Sequence, residues 1–534
     1  MSATRVLFGL GTALALVVAP PSRPIHAALP ALPGSAYDEA ADAITAIEVD
    51  RARELLIKMD EADAKVAYQL GRLAMETGDC DEASRVLAPQ PVRLVAEGEG
   101  LLTIARGCAR AMAAVVTVVD DEHKVVVRLQ DEADRALVPI IGDTIARQRA
   151  VLEKDLGVKM PLPTRIDVVR DQFSLAAMTG LPHASAQTTG TVAIAKFGRV
   201  ILLSPRAPTL GYAWRDTLAH ELTHLALTRG TLDRAPLWLQ EGVAKREEVR
   251  WRPPGATDDN VPADAVAAAG LAKGLGRPLD GIGPSIAMLP SAREAMVVFA
   301  EVTSFVRFLS GDRAGAPGAP TATDVLSKLV AAYRKGLDTD AALLEVTGKD
   351  LKAWNAVWRP WVATKTAKLP STLGLDAAEG PALATAAFDP RSAGRSLRLG
   401  ELLLGRNHPK AARLELDPLA THLASDPLVS ARIACARFRM GDVPSAKLLV
   451  ADPTKVTADL GAWWAIRAEI LQALGEPTAE VAAAYDVAMA HDPLLVSAAC
   501  GWEGALSPGD PWSVVAKGLC VTARARTWPD IGQD

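Results

Sequence analysis

Residues 218–224 read Leu-Ala-His-Glu-Leu-Thr-His, and this pair of histidines constrains the fold more than any other feature of the chain. Four residues apart on an α-helix, His220 and His224 lie on one face, one turn above the other. Both imidazoles can then present a nitrogen to one tetrahedral ion. Glu221 follows the first histidine directly, where a carboxylate reaches a metal-activated water without itself ligating. Leu218, Ala219, Leu222 and Leu225 are apolar and are expected to bury the other sides of this helix. Such a site needs a third ligand. The helix is predicted to break at Gly230. Pro236 then opens a second one, Pro-Leu-Trp-Leu-Gln-Glu-Gly-Val-Ala, whose Glu241 lies 17 residues after His224. That separation lets the chain turn and bring the second helix beside the first, adding an oxygen ligand. Two imidazoles, one carboxylate and one open position make a hydrolytic rather than a structural site, holding one Zn2+ ion. Trp238 and Leu239 are expected in the core, and Gly242 is expected to permit close helix packing.

The stretches 218–224 and 236–244 together resemble the peptidase MA-like family of gluzincins, zinc metallopeptidases whose second motif reads Pro-x-Trp-Leu-x-Glu-Gly-x-Ala. The resemblance extends over roughly Lys124–Ala367, where Ser304–Leu309 and Trp354, Trp358 and Trp361 match the helices that close the family's domain. It implies a zincin-type metallopeptidase domain with His220, His224 and Glu241 as ligands and Glu221 as general base. It also implies peptide or protein substrates, aligned along an edge strand formed within Val192–Leu203. The sequence departs from the family at two places. Lys245 stands where related enzymes carry the acid that orients a histidine, leaving Asp216, Glu247 and Glu248 as candidates for that role. Phe299 stands where a tyrosine is usual, leaving Tyr212, Tyr333 and His183 as candidate donors to an oxyanion.

The flanks differ in character. From Tyr37 to about Met112 apolar residues recur at helical spacing. Leu70, Gly71, Ala74, Ala83 and Leu87, with Gly78-Asp79 as a turn, resemble a tetratricopeptide unit. Beyond Gly394 helical patterns return between Asp-Pro steps at residues 417, 426, 452 and 492, where proline stops one helix and opens the next. Ile433, Ala434, Ala446, Val481, Tyr485, Ala488 and Pro493 fit further repeat positions. Between these flanks, Val125–Leu129, Arg165–Val169, Val192–Ala195 and Val200–Leu203 read as strands, the last pair joined at Phe197-Gly198. Asp134–Leu156, Ala213–Thr228, Leu237–Val249, Arg293–Leu309, Ala322–Lys335 and Leu351–Val362 read as helices. The expected fold class is an α+β zincin-type domain between mainly α-helical repeat regions. The boundaries fall at 35–118, 124–367, a linker at 368–394, and 395–534.

Arg5 precedes an uncharged apolar run of 14 residues, Val6–Ala19, followed by prolines and small residues near Ala27. This is a secretory signal layout over residues 1–27, too short to span a bilayer. The expected location is therefore periplasmic or secreted, without a stable membrane anchor. In an oxidising compartment Cys80 would pair with Cys108 and Cys500 with Cys520 by sequence proximity, leaving Cys435 as a buried thiol. A formal net charge of −5 without long single-sign runs gives no footprint for nucleic acid. Protein partners on the repeats are compatible with this sequence. So are two other functions: a zinc-binding scaffold without turnover, and a zinc hydrolase of cell-wall amides.

Overall fold

The structure is a computed structural model. It describes residues 35–525 apart from 183–190, 209–210, 256–257, 259–260, 284, 287–288, 314–315, 321, 368, 370–374, 376–389, 424–425 and 457–459. The signal layout, His183 and most of the expected linker lie outside the described residues. The chain is mainly helical, around one small mixed sheet.

The sheet holds β1 (Val116–Asp120), β2 (Val125–Leu129), β3 (Thr164–Val169), β4 (Ala193–Lys196) and β5 (Arg199–Leu203), in the order β1-β2-β3-β5-β4. The inner pairs β2/β3 and β3/β5 are parallel, whereas β1/β2 and β4/β5 are antiparallel. The sheet therefore starts at Val116, ahead of the expected Lys124 boundary. In β1 exposed and half-buried residues alternate, so it lacks the buried apolar run that marks β3 and β5. The β4–β5 hairpin turns at Phe197-Gly198 as expected, both residues having positive φ, the conformation that matches the twist of a two-residue hairpin.

Both faces of the inner strands are covered, which is why every residue of β5 is buried. Ile166, Val168, Val200 and Leu202 face the large core that contains the helix Val138–Leu156 and the histidine helix. Val169, Ile201 and Leu203 face the N-terminal helices. On that second face Asp167 is paired with Arg128 and Arg199. Their guanidinium groups also donate to the main-chain oxygens of Gly78 and Met75. This fastens the N-terminal hairpin Ala64–Thr77/Cys80–Leu87 to the sheet. Within the hairpin a Cβ on Gly71 would lie 2.6 Å from Leu87, so glycine permits the close helix approach expected there. Cys80 is bonded to Cys108 and Cys500 to Cys520, while Cys435 is a free, partly buried thiol.

The core beneath the sheet continues into the C-terminal helices. It runs from Ile47 through Trp354 and Trp358 to Trp463, Tyr485 and Ala523. The contact is specific at the entrance to the histidine helix. Tyr212 N–H donates to His491 O at 3.0 Å, and Trp214 Nε1 to Met489 O at 3.4 Å.

Two expected helices differ in detail. The segment read as Asp134–Leu156 begins with a 3-10 turn at Glu132–Leu137 and becomes α-helical only from Val138, just before Pro139. The histidine helix runs through Gly230 to Thr231, and the chain turns at Leu232 and Asp233 in left-handed conformations instead. Gly230 is there for packing, since a Cβ would lie 2.8 Å from Val158 and Val330.

Candidate metal centre

Two helices build the centre. The first, Trp214–Thr231, buries Leu218, Ala219, Leu222, Leu225 and Ala226 and leaves His220, Glu221 and His224 on its remaining face. The second, Leu237–Glu247, starts at Pro236 and packs closely on the helix Ala292–Leu309. Gly242 makes that contact possible, because a Cβ would come within 2.6 Å of Val302 O. Trp238 is buried edge-on against Phe305, with ring centroids 5.3 Å apart, and Leu239 is also core, as expected.

This packing brings His220, His224 and Glu241 together, with one ligand atom from each lying within 4.8 Å of the others. The two Nε2 atoms are 3.1 Å apart, and Glu241 Oε2 lies 3.6 Å from one and 3.5 Å from the other. Outward of the cluster, His220 Nδ1 meets Glu248 Oε2 at 3.0 Å and His224 Nδ1 meets Gln240 Oε1 at 3.3 Å. An acceptor on each Nδ1 favours hydrogen there, which leaves both Nε2 atoms facing each other and a carboxylate, available to a metal when unprotonated. These three atoms converge in a largely buried place, where either a shared proton or a metal ion relieves their mutual repulsion. Two imidazoles and one carboxylate are a donor set that can hold a metal ion such as Zn2+.

The electrostatics agree. Burial disfavours a charged His220, but the carboxylates of Glu241 and Glu248 outweigh it and push the imidazole up to about 9. His224 is raised for the same reason, mainly by Glu241 acting against burial. Burial alone would raise Glu241 and Glu248. The imidazoles beside Glu241, and Lys245 with His220 beside Glu248, hold both carboxyls well below the usual range. The cluster is built to hold positive charge.

Glu221 is not one of the three converging ligand residues. Its Oε2 accepts a hydrogen bond of 2.6 Å from Ala195 N–H on β4. That strand lies at the sheet edge.

Of the three carboxylates considered for orienting a histidine, Glu248 occupies the position. Asp216 is instead drawn to Arg252 at 2.7 Å and to Trp251 Nε1 at 3.0 Å. Glu247 is fully buried between Arg246 and Arg250, and burial pushes its carboxyl up to about 7. Gln240 was not singled out in the sequence; its place beside Glu241 was the available signal. The proposed phenol donors do not reach the cluster. Tyr212 is buried with its hydroxyl donating to Leu203 O, and burial raises it well above the ordinary value. Tyr333 lies in the core, pushed up to about 12 by burial. Among the described residues no tyrosine hydroxyl bonds to the cluster. Phe299 lies nearby, its ring centroid 5.6 Å from Lys245 Nζ.

The chain matches no protein-family model, and it matches no curated protein.

Proposed function

We propose that this chain is an exported zinc-dependent metallopeptidase of the gluzincin type, in which His220, His224 and Glu241 hold the ion and Glu221 is the general base. The observation that carries this reading is the convergence of three ligand atoms beside a carboxylate fixed on an edge strand. When bound, zinc supplies a Lewis acid that polarises the scissile carbonyl and acidifies water.

The chain's own residues do the rest. Glu221, anchored through Oε2, takes the proton of the attacking water and delivers it to the departing amine. In the antiparallel β4/β5 ladder Val192 O accepts from Leu203 N, so the main-chain groups of Ala193 and Ala195 turn away from β5. A substrate peptide in extended form pairs with Ala193 and with the carbonyl of Ala195, because the Ala195 N–H already serves Glu221. Glu248 and Gln240 hold the two imidazoles in orientation. Two disulfides support an oxidising compartment, in keeping with the secretory layout of residues 1–27.

A second reading is a zinc-binding scaffold without turnover, favoured by the lack of a phenol donor at the cluster among the described residues. One comparison separates the two: metal content, then hydrolysis of casein and of peptidoglycan, for the mature chain and its Glu221→Gln form. Peptidase action requires zinc in both proteins and hydrolysis of casein in the first alone. Release of peptidoglycan amides alone would move the substrate to the cell wall, and zinc without hydrolysis would favour the scaffold. Absence of zinc removes every enzymatic reading.

A further inference from the structure

The helix Leu237–Glu247 and its C-cap Glu248 carry Glu241, Lys245 and Glu248 at intervals of four and three residues, so all three share one face. The two carboxylates bracket His220. Glu241 Oε2 lies 3.6 Å from Nε2, and Glu248 Oε2 lies 3.0 Å from Nδ1. Lys245 Nζ lies 3.0 Å from Oε2 and 3.1 Å from Oε1 of the same Glu248. One oxygen thus serves the imidazole and the ammonium together.

We propose that Lys245 sets the charge and donor strength of the metal centre by acting through Glu248, a positioning role that rests on the zinc reading above. A carboxylate on Nδ1–H draws the ring toward imidazolate, which strengthens its bond to a metal and makes that metal a weaker acid. An ammonium on the same oxygen withdraws electron density from it and moderates the pull. Charge balance points the same way. Glu221, Glu241 and Glu248 against Lys245 leave two formal negative charges around imidazoles that a metal would hold neutral, which matches a dication in a largely buried place. Without the ammonium the centre carries an uncompensated negative charge. It then holds a cation more tightly and activates it less.

The test measures zinc and cobalt dissociation constants at one fixed pH, by competition with a chromophoric chelator, for the full mature chain and its variants. Lys245→Met is expected to bind both ions about tenfold more tightly, with kcat on casein reduced and KM retained. Lys245→Arg is expected to return affinity to within about twofold of the parent, because it restores the charge. The same Lys245→Met change made on top of Glu248→Gln is expected to tighten binding clearly less than it does in the parent, because only the direct charge of the ammonium then remains to be lost, a pattern that a loss of folding would not imitate. Unchanged or weaker binding in Lys245→Met overturns the proposal, as does an equal gain with Glu248 already replaced. A parent chain that binds neither ion is a different failure, that of the zinc reading itself.

Discussion

Glu221 and Ala195 are joined by a 2.6 Å hydrogen bond in which the main-chain N–H of the edge strand donates to the carboxylate. The bond ties the base to the strand proposed to align substrate, so proton acceptor and peptide are positioned by one element. Removing the donor tests this coupling. Proline is tolerated on edge strands where the N–H faces away from the partner strand, and Ala195 is such a position. Ala195→Pro is expected to keep the metal and lower kcat by about ten- to a hundredfold, the range for a lost hydrogen bond to a charged group of ~1.5–3 kcal/mol. Metal analysis with steady-state kinetics on casein checks both halves, and an unchanged kcat would detach Ala195 from the base.

Glu248 and Asp216 present a paired contrast. Both were plausible partners for His220 from the sequence, yet only Glu248 reaches it, at 3.0 Å. Glu248→Ala is expected to weaken zinc binding by about ten- to a hundredfold. Asp216→Asn is expected to leave zinc affinity within about twofold of the parent and to lower stability by ~1–3 kcal/mol, because Arg252 loses a partner. Chelator competition and urea unfolding on the two variants distinguish these outcomes. Equal zinc affinities for the two variants would contradict the assignment.

The reach of the sequence follows from the range of the interactions concerned. His220 and His224 were legible because helical periodicity alone puts them on one face, and Glu241 because Pro236 marks where the next helix begins. Glu248 was not separable from Asp216 and Glu247, since that choice depends on how one helix crosses another. Asp216 is taken by Arg252 from beyond the second helix, and Glu247 is turned into the Arg246–Arg250 cluster. Gly230 reads as a helix breaker by local preference, yet contact with Val158 and Val330 makes a small residue useful inside the helix. The helix Ala263–Ala272 escaped because its alanine-rich sequence has little contrast between a buried and an exposed side. The tertiary docking of the C-terminal helices against Tyr212 and Trp214 uses main-chain oxygens, which carry no sequence signal at all.

Gly242 separates the ligand helix from Ala292–Leu309 by the width of a hydrogen. A methyl group there would meet Val306 Cγ2 at 2.4 Å and Val302 O at 2.6 Å, the second being rigid backbone. Gly242→Ala is expected to displace the helix that carries Glu241 and to cost ~1–3 kcal/mol, despite alanine's better helix propensity. Urea unfolding measures the stability, and chelator competition measures the weaker zinc binding that should accompany it. A stabilised variant would mean the two helices separate freely.

Glu301 carries the pH dependence that is easiest to isolate, because the groups acting on it, Arg277 N–H and Arg359, are not part of the ligand set. It is buried, Oε2 accepts from Arg277 N–H at 3.0 Å, and Oε1 has no hydrogen-bond partner among the described residues. Burial pushes its carboxyl up from 4.5 to about 7, against the opposing effects of Arg277 N–H and Arg359. Between those two values the folded chain keeps a proton that the unfolded chain has released. Its contribution to stability therefore falls as pH rises through this window and stays low above it. The full loss corresponds to roughly 3 kcal/mol at about 1.4 kcal/mol for each pH unit. Glu301→Gln removes the ionisation and keeps an oxygen for Arg277. The variant is expected to match the parent within about 1 kcal/mol at pH 5 and to exceed it by roughly 2–3 kcal/mol at pH 8. Urea unfolding of both proteins at the two pH values gives the comparison. The informative quantity is the change in their difference, since every other titrating group is common to both chains and cancels. A difference that does not grow with pH would place the Glu301 carboxyl at its ordinary value and remove burial as the force acting on it.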